Sequence, residues 1–181
     1  METIYLIRHC QTTGQEPEAG LTEQGERDAR LLADRLGGLD IGCVVTSPYL
    51  RAVASAVPFC AKHTVPMETD PRLKERVLSG EPVADWKERL AASFDDVHAR
   101  LEGGESSAEA AARGAAVVEE LFARPGQAAA VFTHGNLMAL LLRHYTGAFG
   151  YEDWRQLTNP DVYRLDRAGD GVRVQRLDWR P

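Results

Sequence analysis

The chain has 181 residues, of which 44% are hydrophobic and 27% charged, so it can form one hydrophobic core and is too short for two independent catalytic modules. Its net charge of -6 argues against nucleic acid as a partner, and its three cysteines, none in a CxxC pair, argue against a disulfide framework and a thiolate zinc site. No apolar run reaches the roughly 18 to 20 residues of a membrane span, so we expect a cytoplasmic protein with no membrane partner.

The first half of the chain alternates short apolar runs with helical patterns. A buried strand is predicted over 3–7, and apolar or small residues recur at a helical period over 21–36. A second buried strand is predicted over Ile41–Thr46. Ser47-Pro48 is a favourable N-cap and first-turn pair, which predicts a helix over about 48–61.

The second half begins with a polar loop over 66–82 that shows no period. Apolar residues at steps of three and four then predict one helix over 86–101, which a Gly-Gly pair ends. Ser106 and Glu109 have the spacing of a capping box. The remaining predicted elements are a helix over 106–122, a strand over 128–133, a helix over 137–145 and an antiparallel hairpin of strands 162–165 and 172–177 around a turn at 168–171.

Strands that alternate with helices predict an α/β protein with a mostly parallel sheet and an antiparallel edge. No internal repeat divides the chain, so we expect residues 1–181 to form a single domain. Within it, residues from about 66 to 105 are expected to form a loop and a helical cap over the functional site.

Basic side chains follow three of the predicted strands. Arg8 and His9 follow the first strand, Arg51 comes shortly after the second, and His134 follows the third. In an open α/β sheet, ligands bind at the carboxyl ends of the strands, where these side chains meet. Two guanidinium groups and two helix N-termini form a binding site for a tetrahedral dianion such as a phosphoryl group. One imidazole could attack phosphorus, and the other could stabilise the transition state. The reaction would also need a carboxylic acid to protonate the leaving oxygen.

Six short segments match the motifs of one known family in chain order. Residues 8–12, RHCQT, resemble the Arg-His-Gly-Glu/Gln-Thr signature of the histidine phosphatase, or phosphoglycerate mutase-like, superfamily. The other segments that are similar to its motifs are LTEQG at 21–25, SPYLRA at 47–52, LKE at 73–75, GES at 104–106 and THG at 133–135.

The resemblance implies a three-layer α/β/α sandwich and a role for each matching residue. It implies that His9 is the nucleophile, that Glu75 donates a proton to the leaving group and that His134 acts with them in catalysis. No metal and no cofactor are expected, and the implied partner is a small phosphorylated substrate bound by a monomer or a homodimer. The residues that the resemblance places around the substrate phosphate are Arg8, Gln11, Thr12, Gln15, Arg51 and His134.

The sequence departs from the family pattern at two places. Cys10 stands where the family has glycine, and we expect it to pack as a small apolar side chain. The glycine that follows the acid motif is also displaced, to Gly80, which leaves Glu81 and Asp85 as alternatives to Glu75 for the acid.

These features favour a metal-independent phosphomonoesterase of the histidine acid phosphatase type, which acts on small phosphorylated metabolites through a phosphohistidine. The nearest alternative is phosphoglycerate mutase-type transfer, although the chain has no extra segment to exclude water from the site. A histidine and carboxylate metal hydrolase is disfavoured by the two arginines and by the absence of HExxH spacing. The third alternative is a catalytically silent phosphate-binding protein.

Overall fold

A mixed six-stranded sheet forms the centre of the protein. The computed structural model describes residues 1–169 and 171–180, so Asp170 of the predicted turn lies outside the described residues. The strands are β1 (Thr3–Arg8), β2 (Ile41–Thr46), β3 (Met67–Thr69), β4 (Ala128–Thr133), β5 (Asp161–Ala168) and β6 (Gly171–Leu177). In the sheet they lie in the order β3-β2-β4-β1-β5-β6.

The pairing of the strands confirms the predicted sheet. β1 runs parallel to β4, and β2 runs parallel to both β3 and β4. The hairpin of β5 and β6 joins the sheet antiparallel to β1 and forms its edge. The carboxyl ends of the four parallel strands therefore open on one side of the sheet.

Helices cover both faces of the sheet. The side chains of β1 alternate between the faces, so that Ile4 and Leu6 enter one apolar cluster and Tyr5 and Ile7 the other. The helices are α1 (Glu23–Leu36), α2 (Leu50–His63), α3 (Trp86–Asp95), α4 (Ser107–Ala123), α5 (Gly135–Thr146) and α6 (Tyr151–Arg155). The first cluster includes apolar residues of α4 and α5, and the second includes those of α1 and α2. This arrangement confirms the three-layer α/β/α sandwich.

Several local predictions are confirmed to the residue. The strands predicted over 41–46 and 128–133 have those bounds in the structure. The capping box before α4 is formed, with Ser106 Oγ accepting from the Glu109 amide at 3.1 Å and the Glu109 carboxylate accepting from the Ser106 amide at 2.7 Å. Both patterns depend on residues that are close together in the chain, so the sequence is sufficient to show them.

The helix predicted over 86–101 is too long, because α3 ends at Asp95. The carboxylate of Asp96 accepts hydrogen bonds from the amides of His98 and Ala99 at 3.1 and 3.2 Å, which makes a turn in place of another helical turn. An aspartate that bonds to nearby backbone in this way competes with the helix. Val97 and Leu101, which continue the apolar period past the helix, are half-buried.

Two other predictions are wrong at their boundaries. Ser47 and Pro48 do not begin α2, whose N-cap is Tyr49. The hydroxyl of Ser47 instead lies 2.7 Å from a nitrogen of His134 and accepts a 3.3 Å bond from the Tyr49 amide. The polar loop over 66–82 contains the three-residue strand β3 and a short 3-10 helix at Pro71–Leu73, which are too short to produce a period.

The start of α1 fixes the loop that follows β1. Thr22 caps α1 through a 3.0 Å bond from the Gly25 amide to its hydroxyl, and its own amide donates to the Gln11 carbonyl at 3.0 Å. A Cβ at Gly25 would lie 2.1 Å from the Gln11 carbonyl oxygen. Glycine is therefore required for this close backbone contact, which holds the segment directly after His9.

We predict that Gly25→Ala lowers the free energy of unfolding by about 1 to 3 kcal/mol, because the added methyl group displaces the Gln11 backbone. Gly38→Ala is the matched control, since a Cβ there meets nothing within 4 Å. Denaturant unfolding of both variants measures the difference. A loss in Gly25→Ala no larger than in Gly38→Ala would contradict the contact.

Candidate active site

The register of β1 and β4 brings the two motif histidines together. Arg8 is opposite Thr133 in the parallel pair, so the next residues, His9 and His134, lie side by side with ring centroids 5.3 Å apart. α2 follows the neighbouring strand β2 and brings Arg51, whose Nε lies 3.2 Å from His9 Nε2. The basic side chains that follow three separate parallel strands thus meet at one edge of the sheet.

His9 is buried and its hydrogen bonds define its tautomer. Nδ1 lies 2.7 Å from the Cys10 carbonyl oxygen and must donate its proton there, so Nε2 keeps its lone pair and accepts from Arg51. Burial lowers the pKa of His9 to about 3, and the charges of Arg51 and Arg8 act in the same direction. The imidazole is therefore neutral near pH 7, with its lone pair towards the arginines.

His134 is fully buried beside His9. Its Nε2 lies 2.7 Å from the Ser47 hydroxyl, and its ring meets the Tyr49 ring edge-on at a centroid distance of 5.1 Å. Within residues 1–169 and 171–180, Nδ1 has no hydrogen-bond partner. Burial lowers the pKa of His134 well below its ordinary value, and the charge of Arg51 acts in the same direction. This ring is also neutral, with one nitrogen left for a ligand.

Arg51 is almost completely buried, with 1% of its surface exposed. One terminal nitrogen donates to the carbonyl oxygens of Gln15 and Glu16, both at 3.0 Å, and the guanidinium carbon lies 4.9 Å from the Tyr49 ring centroid. Burial lowers the pKa of Arg51 from its ordinary value. A buried cation held by neutral carbonyls favours a bound anion as its counter-charge.

Arg8 has a similar environment. Its Nη1 donates to the Leu157 carbonyl at 3.0 Å, whereas its Nε is buried with no partner in the described part of the chain. Burial lowers the pKa of Arg8, and the negative charge of Glu75 partly opposes that effect. A side chain at Gly135 would place its Cβ 2.9 Å from the Arg8 guanidinium carbon. The absence of a side chain at Gly135 therefore leaves the space that the Arg8 guanidinium occupies.

Glu75 lies at the N-terminus of α5. Its two carboxylate oxygens accept hydrogen bonds from the backbone amides of Asn136 and Leu137, each at 2.9 Å. Asn136 comes two residues after His134 in the chain. A helix N-terminus is a favourable position for a carboxylate. The two alternative acids lie on the surface: Glu81 is exposed, and Asp85 is paired with an arginine of α3. Glu75 is thus the one of the three that contacts the site.

Gln11, Thr12 and Gln15, which the resemblance places around the substrate phosphate, make hydrogen bonds within their own segment of the chain or to Arg51. The Gln11 side chain accepts from the Thr22 hydroxyl at 2.8 Å, and the Thr12 hydroxyl donates to carbonyl oxygens of its own loop at 3.0 and 2.9 Å. Gln15 contributes its backbone carbonyl to Arg51. Among the described residues, no hydrogen bond joins these three side chains to either site histidine.

Two asparagines belong to the site and were not predicted as site residues. Asn159 donates to the His9 carbonyl at 2.9 Å, and the Asn136 side-chain nitrogen is buried without a partner in the part of the chain that the structure describes. The signal for Asn136 is its place directly after the THG segment. Asn159 belongs to no motif of the sequence. It comes just before β5, and the pairing of Arg8 with Asp161 brings the start of β5 next to the end of β1.

Cys10 packs as the sequence predicts. Its side chain is fully buried in the apolar cluster of α1 and α2, and its amide donates to the Ser55 hydroxyl at 2.8 Å. Burial raises the pKa of the thiol to about 12. The thiol is therefore protonated near pH 7, and the side chain next to His9 points away from solvent.

Comparison with known proteins identifies the family. The model of the histidine phosphatase superfamily (branch 1) matches residues 4–180. The chain belongs to the histidine phosphatase superfamily. This confirms the resemblance carried by the six motifs. A probable phosphoglycerate mutase from Yersinia pestis (strain Pestoides F) is 27% identical to this histidine phosphatase over 185 residues, which cover 92% of this chain and 85% of that protein.

Solved structures of phosphatases and of a mutase share the fold. A mycobacterial glucosyl-3-phosphoglycerate phosphatase in complex with inorganic phosphate has a TM-score of 0.78 and 26% identity, and the match covers 99% of this chain and 97% of that one. The phosphoglycerate mutase from Bacillus anthracis str. Sterne has a TM-score of 0.75 and 16% identity, over 97% and 92% of the two chains. The superfamily includes enzymes of both kinds, so an enzyme is the expectation for this member.

Over residues 1–169 and 171–180, no group of three or more His, Cys, Asp or Glu side chains is placed to hold a metal ion. None of the helices described there has the length and apolar character needed to cross a membrane.

We predict that the depressed pKa of His9 makes the fold sensitive to acid. Between its unfolded pKa of about 6.5 and its folded pKa of about 3, only the unfolded state binds the proton, so stability falls as pH drops through that window. Each such histidine contributes a slope of at most about 1.4 kcal/mol per pH unit. His9→Gln should therefore lose stability less steeply than the wild type from pH 6.5 to pH 4.

Urea unfolding at a series of pH values measures these slopes. The exposed His98 provides the control, and His98→Gln should keep the slope of the wild type. Equal slopes for His9→Gln and the wild type would show that the His9 ring is accessible to protons in the folded protein.

Proposed function

We propose that this histidine phosphatase is a metal-independent phosphomonoesterase that acts on small phosphorylated metabolites through a phosphohistidine at His9. The observation that supports it most is a set of three buried nitrogens without partners among the described residues: Arg8 Nε, His134 Nδ1 and Asn136 Nδ2. Arg8 Nε lies 3.0 Å from the position of a Cβ at Gly135, and His134 and Asn136 flank Gly135 in the chain. Buried polar atoms are normally paired, so these three favour a ligand with several acceptor oxygens.

In the proposed first step, His9 Nε2 attacks the phosphorus of the bound ester. The nitrogen–phosphorus bond forms while the bond from phosphorus to the leaving oxygen breaks, and Glu75 protonates that oxygen. Arg51 and Arg8 hold the phosphoryl oxygens, and His134 adds a hydrogen bond as charge moves onto them. The neutral state of His9 supports this role because a protonated ring has no lone pair for the attack.

The proposed second step returns the enzyme to its starting state. Water attacks the phosphohistidine, Glu75 accepts the proton from that water, and the bond between His9 and phosphorus breaks. Phosphate then leaves the site. The same carboxyl group of Glu75 thus acts as the acid in the first step and as the base in the second.

Transfer of the phosphoryl group back to a substrate is the second candidate function. The 27% identical relative from Yersinia pestis, described as a probable phosphoglycerate mutase, supports it. We favour hydrolysis because the mycobacterial glucosyl-3-phosphoglycerate phosphatase, at 26% identity, matches 99% of this chain and 97% of its own. A neutral His9 and a carboxyl group of Glu75 at the N-terminus of α5 supply a nucleophile and an acid. A catalytically silent binding protein would need neither, so we disfavour that alternative.

We predict that p-nitrophenyl phosphate and an alkyl phosphate are both hydrolysed in excess EDTA. His9→Ala should lower kcat/KM for both esters by a factor on the order of 10³ or more, because the nucleophile is lost. Glu75→Gln should lower it about 10² to 10⁴-fold for the alkyl ester and much less for p-nitrophenyl phosphate, whose leaving group needs little protonation. Steady-state kinetics of identically prepared proteins measures both effects.

His98→Ala is the matched control and should leave both rates unchanged, because its side chain is exposed and lies on the turn after α3. Loss of wild-type activity in EDTA would contradict the metal-independent mechanism. Equal losses on the two esters in Glu75→Gln would remove Glu75 from the acid role while leaving His9 in place.

A further inference from the structure

A cleft of about 660 Å³ lies between α3 and α6. Two of its lining residues belong to the site: Arg8, and Asn159, which donates to the His9 carbonyl. A leaving group attached to a phosphoryl group at Arg8 can therefore extend into this cleft. The other lining residues are Lys87, Glu88 and Ala91 of α3, Tyr151, Trp154 and Arg155 of α6, and Leu157.

The cleft is basic although the protein is acidic. Arg8, Lys87 and Arg155 line it with a single acidic residue, Glu88, whereas the whole chain has a net charge of -6. Arg155 contacts Glu152 at 3.0 Å, but both side chains are more than half exposed, and such surface pairs are weak. A local excess of positive charge in a concave site attracts anions. Arg8 accounts for the phosphoryl group, which leaves Lys87 and Arg155 without a ligand.

Two aromatic side chains, Tyr151 and Trp154, line the same cleft as these two cations. The rings of Tyr151 and Trp154 are stacked, with centroids 5.4 Å apart and planes 23° apart, and Trp86 meets Trp154 edge-on at 6.4 Å. Tyr151 and Trp154 are half-buried, so part of their aromatic surface remains open to a ligand in the cleft. Flat aromatic surface with nearby polar groups is typical of small-molecule sites, where it packs against the carbon skeleton.

We propose that this cleft selects phosphomonoesters whose leaving group has a second anionic group. Lys87 and Arg155 bind that group, and Trp154 packs against the carbon skeleton that joins it to the phosphoryl group. A carboxylate and a second phosphate share the required chemistry, since a guanidinium fork binds either of them. The proposal rests on the proposed function, because it assigns the leaving-group site of the same reaction.

The test uses aryl phosphates that differ in charge. 4-Carboxyphenyl phosphate and 1,4-phenylene bisphosphate have a second anionic group, whereas 4-carbamoylphenyl phosphate has similar size without the charge. The wild type should hydrolyse the two anionic esters with kcat/KM about tenfold above the carbamoyl ester, which corresponds to about 1.4 kcal/mol. The larger of the two values identifies whether the site prefers carboxylate or phosphate.

The double variant Lys87→Gln with Arg155→Gln should reduce that preference to about twofold or less. Arg27→Gln with Lys62→Gln is the charge-matched control, because both side chains are exposed on α1 and α2, and it should keep the full preference. Trp154→Ala should lower kcat/KM for all three esters together, because the ring contacts the skeleton that they share.

The outcomes separate the two proposals. Hydrolysis of the carbamoyl ester with no preference for the anionic esters, or a preference that survives the Lys87 and Arg155 changes, would overturn the leaving-group site alone. Failure of the wild type to hydrolyse any of the three esters would contradict the proposed function, and this inference with it.

Discussion

The parallel pairing of β1 with β4 is the constraint on which the site depends. Because Arg8 is opposite Thr133, the residues that follow are His9 and His134, and two imidazoles meet at the end of adjacent buried strands. Neither ring can be charged there at neutral pH, since burial and the neighbouring arginines lower both pKa values. The sheet thus holds two neutral imidazoles side by side, which is the state that the proposed nucleophile and the proposed hydrogen-bonding group both require.

The two arginines stay charged in the same place because backbone carbonyls surround them. Arg51 is held by the loop carbonyls after β1, and Arg8 by the Leu157 carbonyl near the start of β5. Carbonyl dipoles stabilise a guanidinium without neutralising it, which leaves the net positive charge for a ligand. In the proposed function, a bound phosphoryl group supplies an anion to these two cations, whose positions the fold already fixes.

Sequence patterns predicted those parts of the fold that depend on neighbouring residues. The bounds of β2 and β4, the capping box of α4 and the meeting of the histidines and arginines at one edge all follow from periodicity, cap spacing and sheet topology. The end of α3 was not predicted, because the apolar period continues past the turn at Asp96 that ends the helix. Asn159 could not be found either, since its contact with the His9 carbonyl depends on how β5 joins the sheet. The cleft between α3 and α6 likewise brings together segments that are far apart in the chain and share no pattern.

The stereochemical course at phosphorus tests the central claim most directly, that hydrolysis passes through a covalent intermediate at His9. A thiophosphate monoester made chiral with oxygen isotopes would be hydrolysed in isotopically labelled water, and the configuration of the inorganic thiophosphate product determined. Each in-line displacement inverts phosphorus, so the two steps proposed here predict overall retention of configuration. Inversion would mean a single displacement by water, and would contradict the role of His9 as nucleophile.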